Sequence, residues 1–274
     1  MTVFEFVPAG VSDCSVKAYL HDDINSLIVH NRPRPAIIVC PGGGYQFLSD
    51  RESEPVALQY FAAGLNVFIL RYSIREKAVN DAPIIQSALA VKYLREHAEE
   101  LYVDPNYVFI TGFSAGGHLA ACCGTLWNKP YVVEAMGDAP AGINRPTATV
   151  LCYPVISSGA YAHEESFQVL CGKLEPTEEE KSRYSLEMHV DATTAPAFMW
   201  HTFNDSCVPI QNTIDYAAAM AKAGVPFEYH VYPDGAHGLS LCNTETWSNI
   251  GYMLNPRCAY WMDASIRYVK EFQV

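Results

Sequence analysis

The sequence predicts an α/β fold with a mostly parallel sheet, because short apolar segments alternate with helical segments along most of its 274 residues. Half of the residues are hydrophobic and 18% are charged, which is enough apolar material for a large core. One domain built around one sheet is compatible with this length. We therefore expect residues 1–274 to form a single domain.

Six segments have the composition of buried strands, since each is short, apolar and rich in β-branched or aromatic residues. They are Ala36–Cys40, Asn66–Arg71, Tyr107–Ile110, Ala148–Tyr153, Ala197–Thr202 and Glu228–Tyr232. Two weaker alternating segments, Ser15–Tyr19 and Ser26–His30, are predicted to add antiparallel strands at one edge of the sheet.

Helical patterns separate the predicted strands. They cover Glu54–Ala63, Pro83–Glu100, Gly117–Leu126, Ile210–Ala223 and Asp263–Phe272. Gly64 and Gly224 each follow a helical segment and are predicted to end it in a left-handed conformation. Asp81 is a candidate cap for the longest helix. The acidic run Glu175–Glu180 predicts the first turn of a further helix, where the helix dipole favours negative charge.

The segment 157–196 interrupts the alternation of strands and helices. Roughly forty residues separate two predicted strands that an ordinary crossover would join with fewer. Excursions of this kind often cover the edge of a sheet at which a site lies. We expect 157–196 to be a small cap or insertion over the active site.

The pattern Gly112-Phe113-Ser114-Ala115-Gly116 lies between a predicted strand and a predicted helix. A serine at such a sharp turn has a strained backbone, and the residues two before and two after it must lack bulk. Glycine occupies both of these positions. The context therefore predicts a nucleophile elbow with Ser114 as the exposed nucleophile.

A serine hydroxyl becomes reactive when a neutral imidazole accepts its proton and a carboxylate orients that imidazole. His237 lies in a glycine-flanked loop directly after the last predicted strand, and Asp205 lies in a turn after Ala197–Thr202. Two alternatives stay open. Asp234 is three residues before His237 and is a second candidate acid, whereas His118 is close to Ser114 in sequence but is better explained as a core residue.

The glycine-rich segment Pro41–Tyr45 follows the predicted strand Ala36–Cys40. Successive glycines let backbone N–H groups approach a substrate without interference from side chains. We expect Gly43 and Gly44, together with the backbone N–H of Ala115, to form an oxyanion hole. A phosphate-binding loop is the alternative, but neither a following Lys-Ser or Lys-Thr nor the dinucleotide-binding glycine spacing is present.

Composition limits the partners and the compartment. The net charge of −12 and the absence of a basic stripe disfavour nucleic acid and anionic membrane surfaces. We find no signal peptide and no apolar segment long enough to cross a bilayer. Nine cysteines, an odd number, indicate reduced thiols in a cytoplasmic protein, and their spacing predicts no metal site.

With these motifs assembled, the chain resembles the α/β-hydrolase superfamily, within the esterase and lipase-like branch related to hormone-sensitive lipase and to bacterial acetyl-xylan or sugar esterases. The motifs that carry the resemblance are PGGGY at 41–45, GFSAGGHLAA at 112–121, HTFNDSCVP at 201–209 and YPDGAHG at 232–238. The chain order Ser114, Asp205, His237 is also that of α/β hydrolases. Pro41 stands where hormone-sensitive lipase relatives usually have histidine, and this moves the resemblance toward the sugar-esterase branch.

The resemblance implies an eight-stranded, mostly parallel sheet with Ser114, Asp205 and His237 at the carboxyl ends of its strands. It also implies a serine carboxylic-ester hydrolase for small-molecule esters with short, acetyl-like acyl groups, including those of sugars or xylo-oligosaccharides, without a cofactor. Tyr45 and Phe113 are candidate substrate contacts. An arylformamidase or small-amide hydrolase, a catalytically silent binding protein and a homodimeric assembly all stay open.

Overall fold

The computed structural model describes residues 1–8, 10–22, 33–247 and 254–273. Within these ranges the chain forms one eight-stranded sheet. The strands are β1 (Thr2–Phe6), β2 (Ser15–Leu20), β3 (Arg34–Cys40), β4 (Asn66–Arg71), β5 (Val103–Phe113), β6 (Thr149–Cys152), β7 (Ala197–Thr202) and β8 (Phe227–Tyr232). Their order in the sheet is β1-β2-β4-β3-β5-β6-β7-β8.

Six of the strands, β3 to β8, are parallel to their neighbours in the sheet, and β2 joins them through an antiparallel pairing with β4. β1 is antiparallel to β2 and forms one edge. The mostly parallel sheet is therefore confirmed. The strand β1 was missed, because its residues Thr2–Phe6 alternate between exposed and half-buried positions and give no buried apolar run. The predicted strand Ser26–His30 lies outside the described residues.

Helices cover both faces of the sheet. They are α1 (Glu54–Ala62), α2 (Ala82–Glu96), α3 (Ala115–Thr125), α4 (Pro130–Ala135), α5 (Glu164–Cys171), α6 (Glu178–Ser182), α7 (Gln211–Ala223) and α8 (Pro256–Glu271). Side chains of α2, α3 and α7 share one apolar core, and side chains of α1 and α8 share the other. Alternate residues of β3 enter these two cores, with Ile38 in the first and Ile37 and Val39 in the second.

The helix α3 is buried along its whole length, from Ala115 to Thr125. Small side chains are required where it crosses the sheet, since a Cβ added to Gly124 would lie 2.7 Å from a methyl of Thr149. Close packing of α3 against the sheet fixes the position of its first turn. Ser114 immediately precedes that turn.

Two predicted helix ends need correction. α8 begins at Pro256 rather than at Asp263, because the side chain of Asn255 caps it by accepting a hydrogen bond from the Cys258 N–H at 3.3 Å. Asp81 does not cap α2, since its own φ is +61° and its side chain makes no capping bond. Its carboxylate instead accepts hydrogen bonds from the Arg183 side chain and from the Tyr184 hydroxyl, each at 3.0 Å.

The 157–196 segment contains α5, α6 and a 3₁₀ turn at Leu186–Met188. The acidic run does begin a helix, as predicted, and Thr177 and Glu180 form a capping box at its start. Phe167 of α5 is fully buried in the core. The segment is thus packed against the body of the fold by apolar side chains as well as by the ion pair of Arg183 with Asp81.

Candidate active site

The backbone at Ser114 has φ +53° and ψ −120°, between the end of β5 and the start of α3. The Ser114 N–H donates to the Cys152 carbonyl at 3.0 Å, which ties the turn to the neighbouring strand β6. A Cβ on Gly112 would lie 2.0 Å from the Gly116 carbonyl oxygen, and a Cβ on Gly116 would lie 2.2 Å from that of Cys40. Glycine is therefore required on both sides of the serine, as the elbow pattern predicts. The expectation that Ser114 is exposed needs correction, because the residue is buried and borders a cavity rather than the open surface.

Three side chains that are far apart in sequence form one hydrogen-bonded chain. The Ser114 hydroxyl donates to His237 Nε2 at 2.8 Å, and His237 Nδ1 donates to Asp205 Oδ2 at 2.7 Å. Asp205 follows β7 and His237 follows β8, so both loops leave the carboxyl edge of the parallel sheet beside the elbow. The Tyr153 ring packs edge-on against the His237 ring, with centroids 5.0 Å apart. The imidazole is therefore oriented on two sides.

The Asp205 carboxylate is buried and fully bonded. Its Oδ1 accepts hydrogen bonds from the N–H groups of Cys207 at 2.9 Å and Val208 at 3.0 Å. His201, which is also buried, lies 3.4 Å from Oδ2. Burial alone would raise the pKa of Asp205, but hydrogen bonds from the two imidazoles and the backbone outweigh burial and hold this pKa well below its usual range. Asp205 is thus a carboxylate at neutral pH.

The two alternative residues lie elsewhere. The Asp234 carboxylate accepts a hydrogen bond from the Asn204 side chain at 2.8 Å and braces the loop rather than the imidazole. His118 is fully buried, with Nδ1 bonded to the Tyr45 hydroxyl and Nε2 to the Tyr184 carbonyl, each at 2.8 Å. Burial lowers the pKa of His118 to about 4, so this imidazole is neutral and belongs to the core.

The glycine segment places two N–H groups beside the serine. Gly43 has φ +132° and Gly44 has φ +61°, and both residues line the cavity that contains Ser114. Within the described residues, the N–H groups of Gly43, Gly44 and Ala115 have no hydrogen-bond partner. The Gly42 N–H, by contrast, donates to the Glu52 carboxylate at 2.9 Å. The three amides expected from the sequence therefore have no competing partner.

The active-site cavity has a volume of ≈240 Å³ and is open on one side. Besides Gly43, Gly44, Ser114 and His237, it is lined by polar side chains that the sequence did not single out. These include Gln46, Arg51, Glu52, His163 and Glu165. They come from separate loops and the 157–196 segment, and no motif connects them. His163 is half-buried there, and burial together with the nearby His237 lowers its pKa.

Neither of the two predicted substrate contacts lies in the cavity. Tyr45 is fully buried and its hydroxyl bonds His118. Phe113 is fully buried as well, and its ring packs against Tyr153 and Trp261. The prediction overlooked side-chain direction, because both residues adjoin the site through their backbones while their rings point into the two cores.

Among residues 1–8, 10–22, 33–247 and 254–273, no group of three or more His, Cys, Asp or Glu side chains is arranged to bind a metal ion. Over the same residues, none of the helices combines the length and hydropathy that a bilayer crossing requires. All nine cysteines are unpaired thiols.

The fold and the strand-end site together define an α/β hydrolase. The family model described as BD-FAE matches residues 23–220, and the chain belongs to this family. Among curated proteins, the chain is 34% identical over 242 residues to endo-1,4-beta-xylanase B of Butyrivibrio fibrisolvens and 32% identical over 212 residues to an acetylxylan esterase of Xylanibacter ruminicola. These alignments cover 84% and 75% of this chain but only 35% and 41% of the two relatives, so it spans well under half of their length.

Solved structures cover the chain almost completely. The acetyl ester-xyloside bifunctional hydrolase from Caldicellulosiruptor lactoaceticus superposes with a TM-score of 0.82 at 33% identity, covering 98% of this chain and 91% of that one. The carboxylesterase Cest-2923 from Lactobacillus plantarum gives a TM-score of 0.84 at 27% identity, covering 99% and 98%. The predicted α/β-hydrolase fold is confirmed by these neighbours and by the observed sheet.

Proposed function

We propose that the protein is a serine carboxylic-ester hydrolase for short-acyl esters of sugars, including acetylated xylo-oligosaccharides. The observation that carries the proposal is the unbroken hydrogen-bonded chain from Ser114 Oγ through His237 to Asp205, at the wall of an open cavity. This is the arrangement that activates a serine hydroxyl for attack on a carbonyl carbon.

In the first half of the reaction, Ser114 Oγ attacks the ester carbonyl while His237 Nε2 takes the hydroxyl proton. Asp205, held as a carboxylate, stabilises the imidazolium that forms. The tetrahedral intermediate then collapses, His237 returns the proton to the leaving alcohol, and the acyl group remains on Ser114. In the second half, His237 removes a proton from water, which attacks the acyl-enzyme and releases the acid.

The negative charge on the intermediate needs donors that are already in place. The Gly43, Gly44 and Ala115 N–H groups are the candidates, since they border the serine and have no other partner among the described residues. One such donor contributes on the order of 3 kcal/mol to lowering the barrier. Gly42 is not in this group, because its N–H is bonded to Glu52.

The size and polarity of the cavity support a small acyl group on a polar alcohol. A volume of ≈240 Å³ is small beside the pockets of roughly 300–1,000 Å³ that hold drug-sized ligands. Eight of its thirteen lining residues carry polar or charged side chains that can bind an alcohol, but most of the surface facing the cavity is carbon, so it is the small volume that disfavours a long alkyl chain. The names of an acetylxylan esterase and an acetyl ester-xyloside hydrolase among the relatives support the acetyl and xylose parts of the proposal. Nine unpaired cysteines support a reducing compartment such as the cytoplasm.

The first experiment measures hydrolysis of p-nitrophenyl acetate by the wild-type enzyme and by Ser114→Ala. We expect kcat/KM to fall by at least about 10⁴-fold, because the nucleophile is removed while the oxyanion donors remain. Ser12→Ala, a change at an exposed serine, is the control. Retained turnover by folded Ser114→Ala would show that the assigned nucleophile is wrong.

A second experiment compares formyl, acetyl, butyryl and octanoyl esters of the same alcohol, with N-formylaniline as an amide. We expect the acetyl ester to be preferred over the octanoyl ester. A preference for the formanilide would favour the arylformamidase alternative, and absence of turnover together with absence of fluorophosphonate labelling would favour a silent binding protein.

A further inference from the structure

A second cavity of ≈520 Å³ opens beside the active-site cavity. Gln46 and Glu165 line both of them, so the two spaces are adjacent, and we refer to the pair as the groove. Glu165 stands close to the oxyanion segment, since a Cβ on Gly44 would lie 4.0 Å from its Oε2. A ligand that reaches Ser114 from this side therefore passes between the oxyanion segment and the start of α5.

The lining of the second cavity suits a neutral, hydroxyl-rich ligand. Six of its ten lining residues carry polar side chains, namely Gln46, Arg75, Glu76, Glu165, Gln168 and Lys173, and Val79, Val169 and Leu174 add apolar surface on which the carbon face of a sugar ring can pack. Two of these side chains are formally positive and two are negative, so the cavity has no net charge that would select an ion. Sugar hydroxyls both donate and accept hydrogen bonds and can use all of these groups, whereas an acyl chain can use none.

Arg75 is fixed to the oxyanion segment by its own backbone and side chain. It has φ +56°, its N–H donates to the Tyr45 carbonyl at 2.7 Å, and its Nε donates to the Gln46 carbonyl at 2.9 Å. The remaining guanidinium nitrogens make no hydrogen bond within the described residues and face the groove. A donor fork is thus held open beside the site.

We propose that this groove, from Gln46 to Lys173, binds the sugar chain that carries the scissile ester. The proposal rests on the proposed function and names the alcohol side of its substrate. Binding of sugar units away from the reacting carbonyl orients the ester against Ser114, and this remote binding raises kcat/KM for an oligosaccharide without affecting a small aryl ester.

The test places a bulky side chain in the groove. The quantity measured is kcat/KM for acetylated xylotetraose divided by kcat/KM for p-nitrophenyl acetate. Glu76 is exposed and forms no hydrogen bond in the described residues, so Glu76→Trp adds bulk without removing a contact. We expect this variant to lower the ratio by at least about tenfold, which corresponds to 1.4 kcal/mol. Glu99→Trp, an exposed glutamate just before the start of β5 at the opposite edge of the sheet, is the matched control and leaves the ratio unchanged.

Binding of unacetylated xylotetraose to Ser114→Ala, measured by calorimetry, tests the groove without any chemistry. We expect Glu76→Trp in this background to weaken binding by a similar factor. An unchanged ratio of the two kcat/KM values would overturn the groove assignment while the esterase function stands. Equal binding of xylotetraose by Ser114→Ala and by the double variant with Glu76→Trp would overturn it as well. Absence of wild-type turnover on both esters, with normal binding of xylotetraose, would instead overturn the function and leave the groove.

A second inference concerns Glu52, which is buried between the oxyanion segment and the histidine loop. Its Oε2 accepts the Gly42 N–H at 2.9 Å, and its Oε1 accepts the Tyr153 hydroxyl at 2.7 Å. The same hydroxyl oxygen accepts the Ser240 N–H at 2.9 Å, and the Tyr153 ring packs against His237. A single carboxylate therefore links the loop of the oxyanion donors to the loop of the general base.

We infer that Glu52 is a positioning residue for the reaction. By occupying the Gly42 N–H, it orients the segment so that the next two amides remain directed at the cavity. This arrangement acts on the transition state, where the oxyanion forms, more than on the bound ester. The variant Glu52→Gln keeps the shape of the side chain, but with its amide oxygen on the Gly42 N–H its N–H₂ group faces the Tyr153 hydroxyl, whose proton then loses its acceptor.

We expect Glu52→Gln to lower kcat for p-nitrophenyl acetate by about 10- to 100-fold with KM nearly unchanged. The affinity for a phenylboronic acid, which mimics the tetrahedral intermediate, is expected to fall by the same factor. Glu54→Gln is the matched control, because Glu54 also accepts two side-chain hydrogen bonds, from Lys17 and Tyr19, but lies at the surface. A lower Tm with unchanged kcat and boronate affinity would show that Glu52 is only structural.

Discussion

The nucleophile elbow and the oxyanion segment border the same cavity but are held by different forces. At the elbow, Gly112 and Gly116 are in contact with neighbouring backbone at distances that leave no room for a Cβ. In the oxyanion segment, Gly42 and Gly43 are similarly confined, since added Cβ atoms would lie 2.7 and 2.1 Å from neighbouring atoms, but Gly44 has open space, with its nearest neighbour 3.6 Å from an added Cβ. Hydrogen bonds to the side chains of Glu52 and Tyr72 also hold this segment. Packing therefore positions the nucleophile, whereas packing and side-chain hydrogen bonds together position the oxyanion donors.

The largest expected difference in kcat is between substitutions of the two candidate acids, Asp205 and Asp234. Asp205→Asn is expected to lower kcat by about 10⁴-fold, because the amide no longer fixes the imidazole tautomer or stabilises the imidazolium. Asp234→Asn is expected to keep kcat within a few-fold, since Asp234 bonds Asn204 and not His237. Steady-state kinetics on p-nitrophenyl acetate measures both. Equal losses would mean that Asp234 shares the acid role.

The steric argument predicts losses of stability of unequal size at two glycines. Gly116→Ala is expected to lower the free energy of unfolding by several kcal/mol, because its Cβ would lie 2.2 Å from the Cys40 carbonyl oxygen. Gly44→Ala is expected to cost only about 1 kcal/mol, from the positive φ alone. Urea titrations of the two variants separate these values. Similar losses would show that Gly44 is confined as tightly as Gly116.

We expect the folded protein to lose stability in weak acid because of His118. Burial lowers its pKa from 6.5 to about 4, so the unfolded chain binds the extra proton between these values and stability decreases as the pH falls through them. The loss reaches roughly 3 kcal/mol near pH 4. The lowered pKa of Asp205 reduces stability only when the pH falls below 3.8, the ordinary pKa of this side chain. Urea midpoints between about pH 7 and pH 4.5 should show this slope in the wild type and a smaller one in His118→Asn.

The smallest expected effect is at Tyr72, whose hydroxyl donates to the Pro41 carbonyl at 2.6 Å. Tyr72→Phe removes one of the bonds that hold the oxyanion segment, and we expect a loss of about 1 kcal/mol in stability with a few-fold decrease in kcat. Thermal unfolding and kinetics of the same preparation check both values. Unchanged kcat would show that Glu52 alone determines the path of the segment.

Sequence reasoning succeeded where the physical constraint is local. The glycines around Ser114 and the loops carrying Asp205 and His237 are short motifs at strand ends, and parallel strands bring such ends together. It failed where the direction of a side chain decides whether a residue lines the cavity or the core. Tyr45 adjoins the oxyanion glycines but points into the core, and nothing in the local sequence distinguishes the two directions.

Glu52 and Glu165 were missed for a related reason. Each reaches the cavity from a different loop or segment, and an isolated glutamate carries no periodic or motif signal. Their contacts depend on the packing of the 157–196 segment and of the turn before α1, which only the folded chain defines. The signal that would have drawn attention to Glu52 is its place ten residues after Gly42, in a glycine-rich segment whose amides need acceptors.

The central claim is that His237 makes Ser114 reactive, and labelling with a fluorophosphonate tests it directly. Peptide mass analysis should locate the label at Ser114 in the wild type, His237→Ala should slow labelling by several orders of magnitude, and Cys207→Ala, at an exposed thiol near the cavity, should still be labelled at Ser114. Labelling at another residue, or at Ser114 with an undiminished rate in folded His237→Ala, would contradict the account.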